Sequence, residues 1–428
     1  MSVIGQTNPA PNEVTRSHPS ALAPLREPLF LSLWSAAVIS YIGTWMQNVG
    51  AGWLMTQLTM SPFMISMVQA SAALPVFLVI LPAGALADMM DRRRLLLFTQ
   101  GWMVAASAAL GILTLTSCIT PWTLLLFSFL LGLGSVMNDP AWQAITPEIV
   151  SPENHAPAVA LNSAGFNVAR ALGPPLGGLV IAATSSGIAF LLNALSFFGV
   201  IFFLYRWQRP QTNTPRVAEI QTSQVLEAIR AGIQYVRGSD PVKSVMVRAG
   251  VFSIGATALL ALLPLLARPF GSGGYGLLLG CFGVGALGGA AVLPRLRHLW
   301  HVDAVVAVAI VVFAGATFLA GRATGFGLLC VIMFVAGTAW IAILACLNVA
   351  AQTTAPSWVR ARALSMYLLV LQGGMAVGSA AWGALATRTG VANTMVWSAA
   401  LLLAGLVVIP RHRLHSQGLH LAPSVVRD

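Results

Sequence analysis

The sequence predicts an all-α polytopic membrane protein with twelve transmembrane helices in two pseudo-symmetric six-helix bundles. Three observations predict it. The 428-residue chain is 57% hydrophobic and only 8% charged, against about 25% charged in a soluble domain, and its mean hydropathy is +0.80. Twelve apolar runs approach the roughly 20 residues needed to cross about 30 Å of hydrocarbon. These runs fall six and six around one polar interval. Gly (40) and Pro (24) are abundant, and both are tolerated in membrane helices. The composition excludes a soluble enzyme, a disordered chain and a nucleic-acid-binding domain.

Residues 1–28 are polar, contain proline and lack an apolar core, so they read as an N-terminal tail. The run that follows is too long for a signal-peptide core and has no small-residue cleavage site, so it is expected to stay as the first span. The N-terminal bundle is expected over 29–206, with spans at 30–57, 62–87, 95–118, 122–146, 158–184 and 187–205. The interval 207–243 is the longest loop. In it Val225, Leu226, Ile229, Ile233 and Val236 recur at helical spacing, with Glu227, Arg230, Gln234 and Arg237 between them. That pattern predicts an amphipathic helix on the membrane surface, which suits a plain linker and also a regulatory partner site. The C-terminal bundle is expected over 244–410, with spans at 245–267, 275–293, 304–320, 325–353, 363–387 and 392–409, and 411–428 forms a second tail. Cys118, Cys281, Cys330 and Cys346 lie in or beside apolar runs without metal-ligand or disulfide spacing, and read as small buried hydrophobes.

Basic residues set orientation. Of the 23, nineteen fall on the side of the membrane that holds the N-terminus and three (Arg268, Arg322, Arg388) on the other, with Arg170 left inside a span. The positive-inside rule therefore places both termini in the cytoplasm. The even span count agrees with that placement.

The two halves also resemble each other. Residues 150–162, leading into span five, parallel 354–365, leading into span eleven, and Gly173 and Gly178 find counterparts in Gly378 and Gly383, 205 residues on. Internal repeats of this kind occur in transporters whose substrate site lies between the repeats.

Two charges lie well inside spans, Asp139 on span four and Arg170 on span five. Each costs about 2.5 to 3.5 kcal/mol at a helix centre, so such groups normally face a bundle interior and mark function. The two are expected to pair or to share a network with Asn138 and Asn167, as a fixed ion pair or a moving one. All seven histidines fall in loops or tails. Asp139 is therefore the candidate proton carrier, with a second possible role in reaching Arg92 at the inner surface. No zinc-ligand spacing, Gly-Lys-Ser phosphate loop or nucleophile and base pair is present, so no cofactor, metal or enzymatic activity is expected, and an ATP-hydrolysing pump is excluded.

The most specific string is the loop between spans two and three, Gly84-Ala-Leu-Ala-Asp88-Met-Met-Asp91-Arg92-Arg93-Arg94. It resembles the loop signature of the major facilitator superfamily at Gly84, Asp88, Arg92 and Arg93 or Arg94. Met89 stands where that family usually carries a basic residue, and Asp91 replaces its second glycine. The resemblance implies a gate latch in which Asp88 engages the start of span eleven and the arginines pair with nearby acidic groups; a plain cytoplasmic anchor also accounts for the arginines. Span five carries Gly173-Pro174-Pro-Leu-Gly177-Gly178, similar to the span-five core of superfamily antiporters and exporters, although Ala160 and Ala169 stand where the longer signature has glycine. Further strings, among them residues 43–47, 81–88, 160–163, 261–268 and 372–374, resemble the enterobactin exporter-like, or transmembrane secretion effector, branch.

The resemblance implies the major facilitator fold, alternating access in a bacterial inner membrane, a small organic substrate such as a siderophore or drug-like compound, export in exchange for protons, and action as a monomer. In that superfamily spans one, four, seven and ten line the cavity. Gln47, Asn48, Asn138, Trp142, Trp340 and Asn348 are the corresponding substrate-contact candidates, and each would serve equally in interhelical packing. A proton-coupled uptake symporter of the same fold and a non-transporting scaffold or sensor are the alternative readings.

Overall fold

Apolar runs become helices here because a backbone in hydrocarbon must satisfy its own polar groups, and punctuation at their ends fixes where each begins. Proline opens α1 (Pro28–Leu58), α2 (Pro62–Met89) and α4 (Pro121–Ile149), where the missing N–H costs nothing. Asp91 caps α3 (Arg92–Leu115) by accepting from the Arg94 N–H at 2.9 Å. Ser185 caps α6 (Ser186–Arg206) in the same way through Ile188, and α5 (His155–Ala183) follows a single 3-10 turn. The second half repeats the count with α7 (Asp240–Leu266), α8 (Gly271–Leu299), α9 (Val302–Ala320), α10 (Phe326–Thr354), α11 (Arg360–Thr389) and α12 (Val391–Ala404). The computed structural model describes residues 20–89, 91–207, 238–356 and 359–408, and at 80–89, 361 and 408 the backbone alone. The linker helix expected around 225–236 lies outside the described residues, as do most of both tails.

Eleven of these helices are long and apolar enough to cross a membrane. The twelfth departs from expectation. Its α-helical part has 14 residues and passes at Gly405 into a 3-10 turn ending at Val408. Large apolar side chains face outward along the helical bundle, among them Leu195 (64% exposed), Val331 (60%) and Phe202 (52%). Such a belt is at home in lipid and would aggregate in water.

Within the first half α1 packs on α5 and α6, α3 on α4 and α6, and α2 on α4; within the second, α7 packs on α11 and α12, α9 on α10 and α12, and α8 on α10. Two long seams join the halves, α2 with α11 and α5 with α8. The repeated glycines sit at matching places in this plan. Gly173 lies against Ile42 and Trp45 of α1, and its counterpart Gly378 against Ile254 and Thr257 of α7. Gly178 meets Ser272 and Gly276 of α8 across one seam, and Gly383 meets Phe63 and Ser66 of α2 across the other. A Cβ on Gly178 would stand 2.7 Å from the Ser272 carbonyl oxygen and 2.9 Å from the Gly276 Cα, so only glycine admits this approach of two backbones.

The cysteines divide. Cys346 is buried and Cys281 and Cys330 are half-buried, but Cys118 is exposed, because it falls past the end of α3 in the loop before α4 rather than in an apolar interior.

Candidate functional site: a cavity between the halves

Side chains of both halves enclose a central cavity of about 370 Å³. The first half lines it with Thr44, Gln47, Asn48, Gln69, Ser128, Ser135, Asp139, Arg170 and Asn193, besides apolar groups. The second half lines it with Leu260, Tyr275, Leu279, Phe282, Gly283, Trp340 and Met375. Among the described residues, every charged and amide side chain on the wall thus comes from α1 to α6, and the second half offers only the Tyr275 hydroxyl and the Trp340 indole N–H as polar side-chain groups.

At the end of the bundle carrying Arg268, the cavity is shut. Trp53 of α1 stacks on Tyr275 of α8 with ring centroids 6.4 Å apart. Arg268 donates to the Thr56 carbonyl at 3.5 Å and reaches the Met60 sulfur at 2.7 Å. Gly178 with Gly276 and Gly383 with Ser66 close both seams at the same end. Towards the opposite end, which carries Arg92, no extensive contact joins α4 to α10 or α11 among the described residues.

Asp139 is open to the cavity and also to a side chamber of about 120 Å³ lined by Tyr41, Gln100, Asn138, Trp142 and Phe166 among others. It forms no ion pair with Arg170. The Arg170 guanidinium instead lies 5.8 Å from the ring centroid of Trp45 on α1 and 5.8 Å from that of Phe282 on α8. Asn167, expected to bridge the two charges, donates to the Ser163 carbonyl one turn back at 2.8 Å, a bond local to its own helix. The Asp139 contact with Arg92 is not formed either. Arg92 pairs with Glu148 at 2.8 Å and donates to the Ala144 carbonyl at 3.0 Å.

The remaining candidates separate into three groups. Asn48 is exposed on the cavity wall. Gln47 also borders it but is 6% exposed, and its Oε1 accepts from Asn193 Nδ2 at 2.6 Å and from the Ser107 hydroxyl, tying α1 to α3 and α6. Trp340 shows one edge to the cavity while packing within 6.0 Å, centroid to centroid, of Phe252, Phe282 and Phe313. Asn138 and Trp142 line the side chamber rather than the main cavity. There Asn138 Oδ1 accepts from Gln100 Nε2 at 3.0 Å, while Gln100 Oε1 and Trp142 Nε1 have no protein partner. Asn348 is not part of either space; Gln352, one turn on, donates to it at 2.6 Å.

In the loop before α3, Asp91 forms the cap. Arg93 donates to the carbonyls of Leu204 and Tyr205 at 2.8 and 2.6 Å, satisfying the end of α6, and Arg94 is exposed. Gly84 and Asp88 lie in the last turns of α2, and the side-chain contact expected of Asp88 with the start of α11 lies outside the described residues. A neighbouring clamp was not foreseen. Glu27, just before α1, accepts from Ser151 N at 3.2 Å, Ser151 Oγ at 3.0 Å and Asn154 Nδ2 at 2.7 Å. Burial pulls its carboxyl upward, but the bonds from Asn154 and Ser151 and the nearby His155 outweigh burial, and the group rests below its usual value. The buried ion pair of Arg248, on α7, with Asp303, at the start of α9, was also missed. Asp303 directly precedes an apolar run and Arg248 lies eight residues after Asp240, and that placement was the available signal. Gln69, a lone amide in α2, and Tyr275 are further cavity residues that periodicity did not single out.

The sequence pattern of the transmembrane secretion effector family matches residues 19–425. The chain belongs to that family. It is accordingly a multi-pass membrane transporter of the major facilitator type. Among relatives, the chain is 24% identical to an enterobactin exporter of Citrobacter koseri, covering 89% of this chain and 91% of that one. It is 25% identical to the multidrug efflux pump Tap of Mycolicibacterium fortuitum, covering 91% and 97%. A staphyloferrin A transporter of Staphylococcus aureus is 26% identical over 166 residues, a match spanning 39% of this chain and 42% of that protein. A solved bacterial homologue of the human lysosomal transporter Spinster, in an inward-facing and unoccupied conformation, shares the fold at a TM-score of 0.67 and 13% identity, covering 91% and 95%.

Proposed function

We propose that this transporter exports small amphipathic organic molecules, siderophore-like or drug-like, across a bacterial inner membrane by alternating access, and that inward protons drive the export. It acts as a monomer, with residues 29–206 and 244–410 as the two moving bundles, and both termini in the cytoplasm as the arginine distribution favours. In that orientation the Arg268 end faces outward and the Arg92 end inward. The observation that carries the reading is a cavity shared by the halves and shut at the Arg268 end, with Asp139 as the one carboxylate on its wall among the described residues. A membrane-embedded carboxylate open to a cavity is a proton-relay candidate. Mixed apolar and amide walls suit an organic ligand. The direction of transport is supported by the Gly173, Pro174, Gly177 and Gly178 pattern and by relatives named as exporter and efflux pump.

The test is uptake by inside-out vesicles of a radiolabelled panel of siderophores and drugs, with an inside-acid gradient imposed or collapsed. Accumulation of a panel compound only under the gradient is the expected result. Accumulation only in right-side-out vesicles under an outside-acid gradient would convert the reading to an uptake symporter, and flux indifferent to the gradient would remove proton coupling.

A further inference from the structure

Arg170 is the only cationic side chain on the cavity wall among the described residues. It has neither an ion pair nor a hydrogen-bonded acceptor: Asp139 shares the cavity but does not pair with it, and its close neighbours are two aromatic rings. Rings set against a guanidinium engage its charge through their π faces and accept none of its N–H bonds in the way an oxygen does. An unpaired guanidinium at membrane depth is costly, so a cavity that holds one with its donors unspent is built for an acceptor that arrives.

We propose that Arg170, held between Trp45 and Phe282, is an anion-recognition subsite, and that the cavity takes amphipathic organic carboxylates. This inference rests on the reading of the cavity as the substrate path. The guanidinium fork matches a carboxylate in a bidentate pair. Leu260, Leu279, Trp340 and Met375, from the other half, give the apolar body a dry surface. The cradle also spans the seam. Trp45 belongs to one half and Phe282 to the other, and the neighbouring Gly283 packs against Arg170's carbonyl oxygen and Ala171. Parting of α5 from α8 removes one ring of the cradle, so the anion is held best while the Arg268 end is shut and more weakly once it opens.

The test is equilibrium dialysis of the purified full-length protein in detergent at neutral pH, with radiolabelled 2-naphthoate against its neutral amide and biphenyl-4-carboxylate against its amide. A charge-assisted pair corresponds to about ten-fold or more in affinity. Wild type is expected to prefer at least one acid over its amide by that factor. Arg170→Gln is expected to bring the pair within about two-fold while amide binding persists, which shows the variant is folded. Arg170→Lys, which keeps the charge and loses the fork, should fall between. Equal binding of acid and amide by wild type, a preference that survives Arg170→Gln, or no binding of either acid would overturn the proposal. Failure of the transport reading looks different: no panel compound moves in vesicles of either orientation, while the acid-over-amide preference still stands.

Discussion

The two walls of the cavity are made from helices of matching design but carry different chemistry. On the first half, Asn48, Gln69, Asp139 and Arg170 face the space, and behind them Gln47 is fixed by Asn193 and Ser107 and Asn138 by Gln100. On the second half Trp340 packs against Phe252, Phe282 and Phe313, and Leu260, Leu279 and Met375 complete the surface. The backbone repeat nevertheless sets Gly173 and Gly178 against α1 and α8 as it sets Gly378 and Gly383, in the other half, against α7 and α2. The repeat therefore preserves close-packed seams, while the walls differ. One half handles charge and the other presents a dry, shaped face. Concentrating polar groups on one side has a physical advantage, because a buried polar network stabilises only when its members are satisfied together.

The seams, where the walls meet, should yield the largest effect. Gly178→Val places a branched side chain against backbone at 2.7 Å, and the Arg268 end can no longer close. Vesicle flux is expected to fall by more than ten-fold at normal membrane abundance, and Gly383→Val should do the same at the pseudo-equivalent seam. Unchanged flux in either variant would break the equivalence of the seams.

A smaller loss is expected on the polar wall. Gln47→Leu strips the acceptor from the Asn193 amide, leaving a buried donor that costs about 1 to 3 kcal/mol, while Ser107 can still donate to the Phe190 carbonyl at 2.8 Å. Thermal unfolding in detergent should move down by several degrees. A midpoint equal to wild type would mean that this wall is not held by its network.

The smallest effect belongs to Glu27 and is confined to acid. Its carboxyl lies below its usual value when folded, so the clamp stabilises at pH values above the ordinary carboxylate range and is lost as pH falls through the lowered folded value. Wild type and Glu27→Gln should therefore differ in melting temperature near neutrality and converge in acid. A gap that widened on acidification would reverse the sign.

Fold and wall were legible in the sequence to different depths. Twelve apolar runs could be read directly because hydrocarbon thickness imposes a length on each, and misjudgement was confined to a terminus, where α12 changes to 3-10 geometry at Gly405. Asp139 and Arg170 stood out because charge inside a span is rare. Their separation did not, because depth along a helix says nothing of rotation about it, and no spacing rule would have put Phe282 beside Arg170. Asn348 shows the same limit: an amide on a cavity-forming span of the superfamily can bond its own helix and stay off the wall. Gln69 escaped because a lone amide in an apolar run has no partner in sequence to mark it.

The most direct test of the division of labour is a pair of assays on Asp139→Asn and Trp340→Phe in the same vesicles: proton-gradient-driven accumulation, and exchange of labelled for unlabelled substrate with no gradient. The account predicts that Asp139→Asn loses accumulation but keeps exchange, and that Trp340→Phe keeps both and alters only which substrates are accepted. Gradient-driven accumulation surviving in Asp139→Asn, or lost in Trp340→Phe while exchange persists, would contradict it.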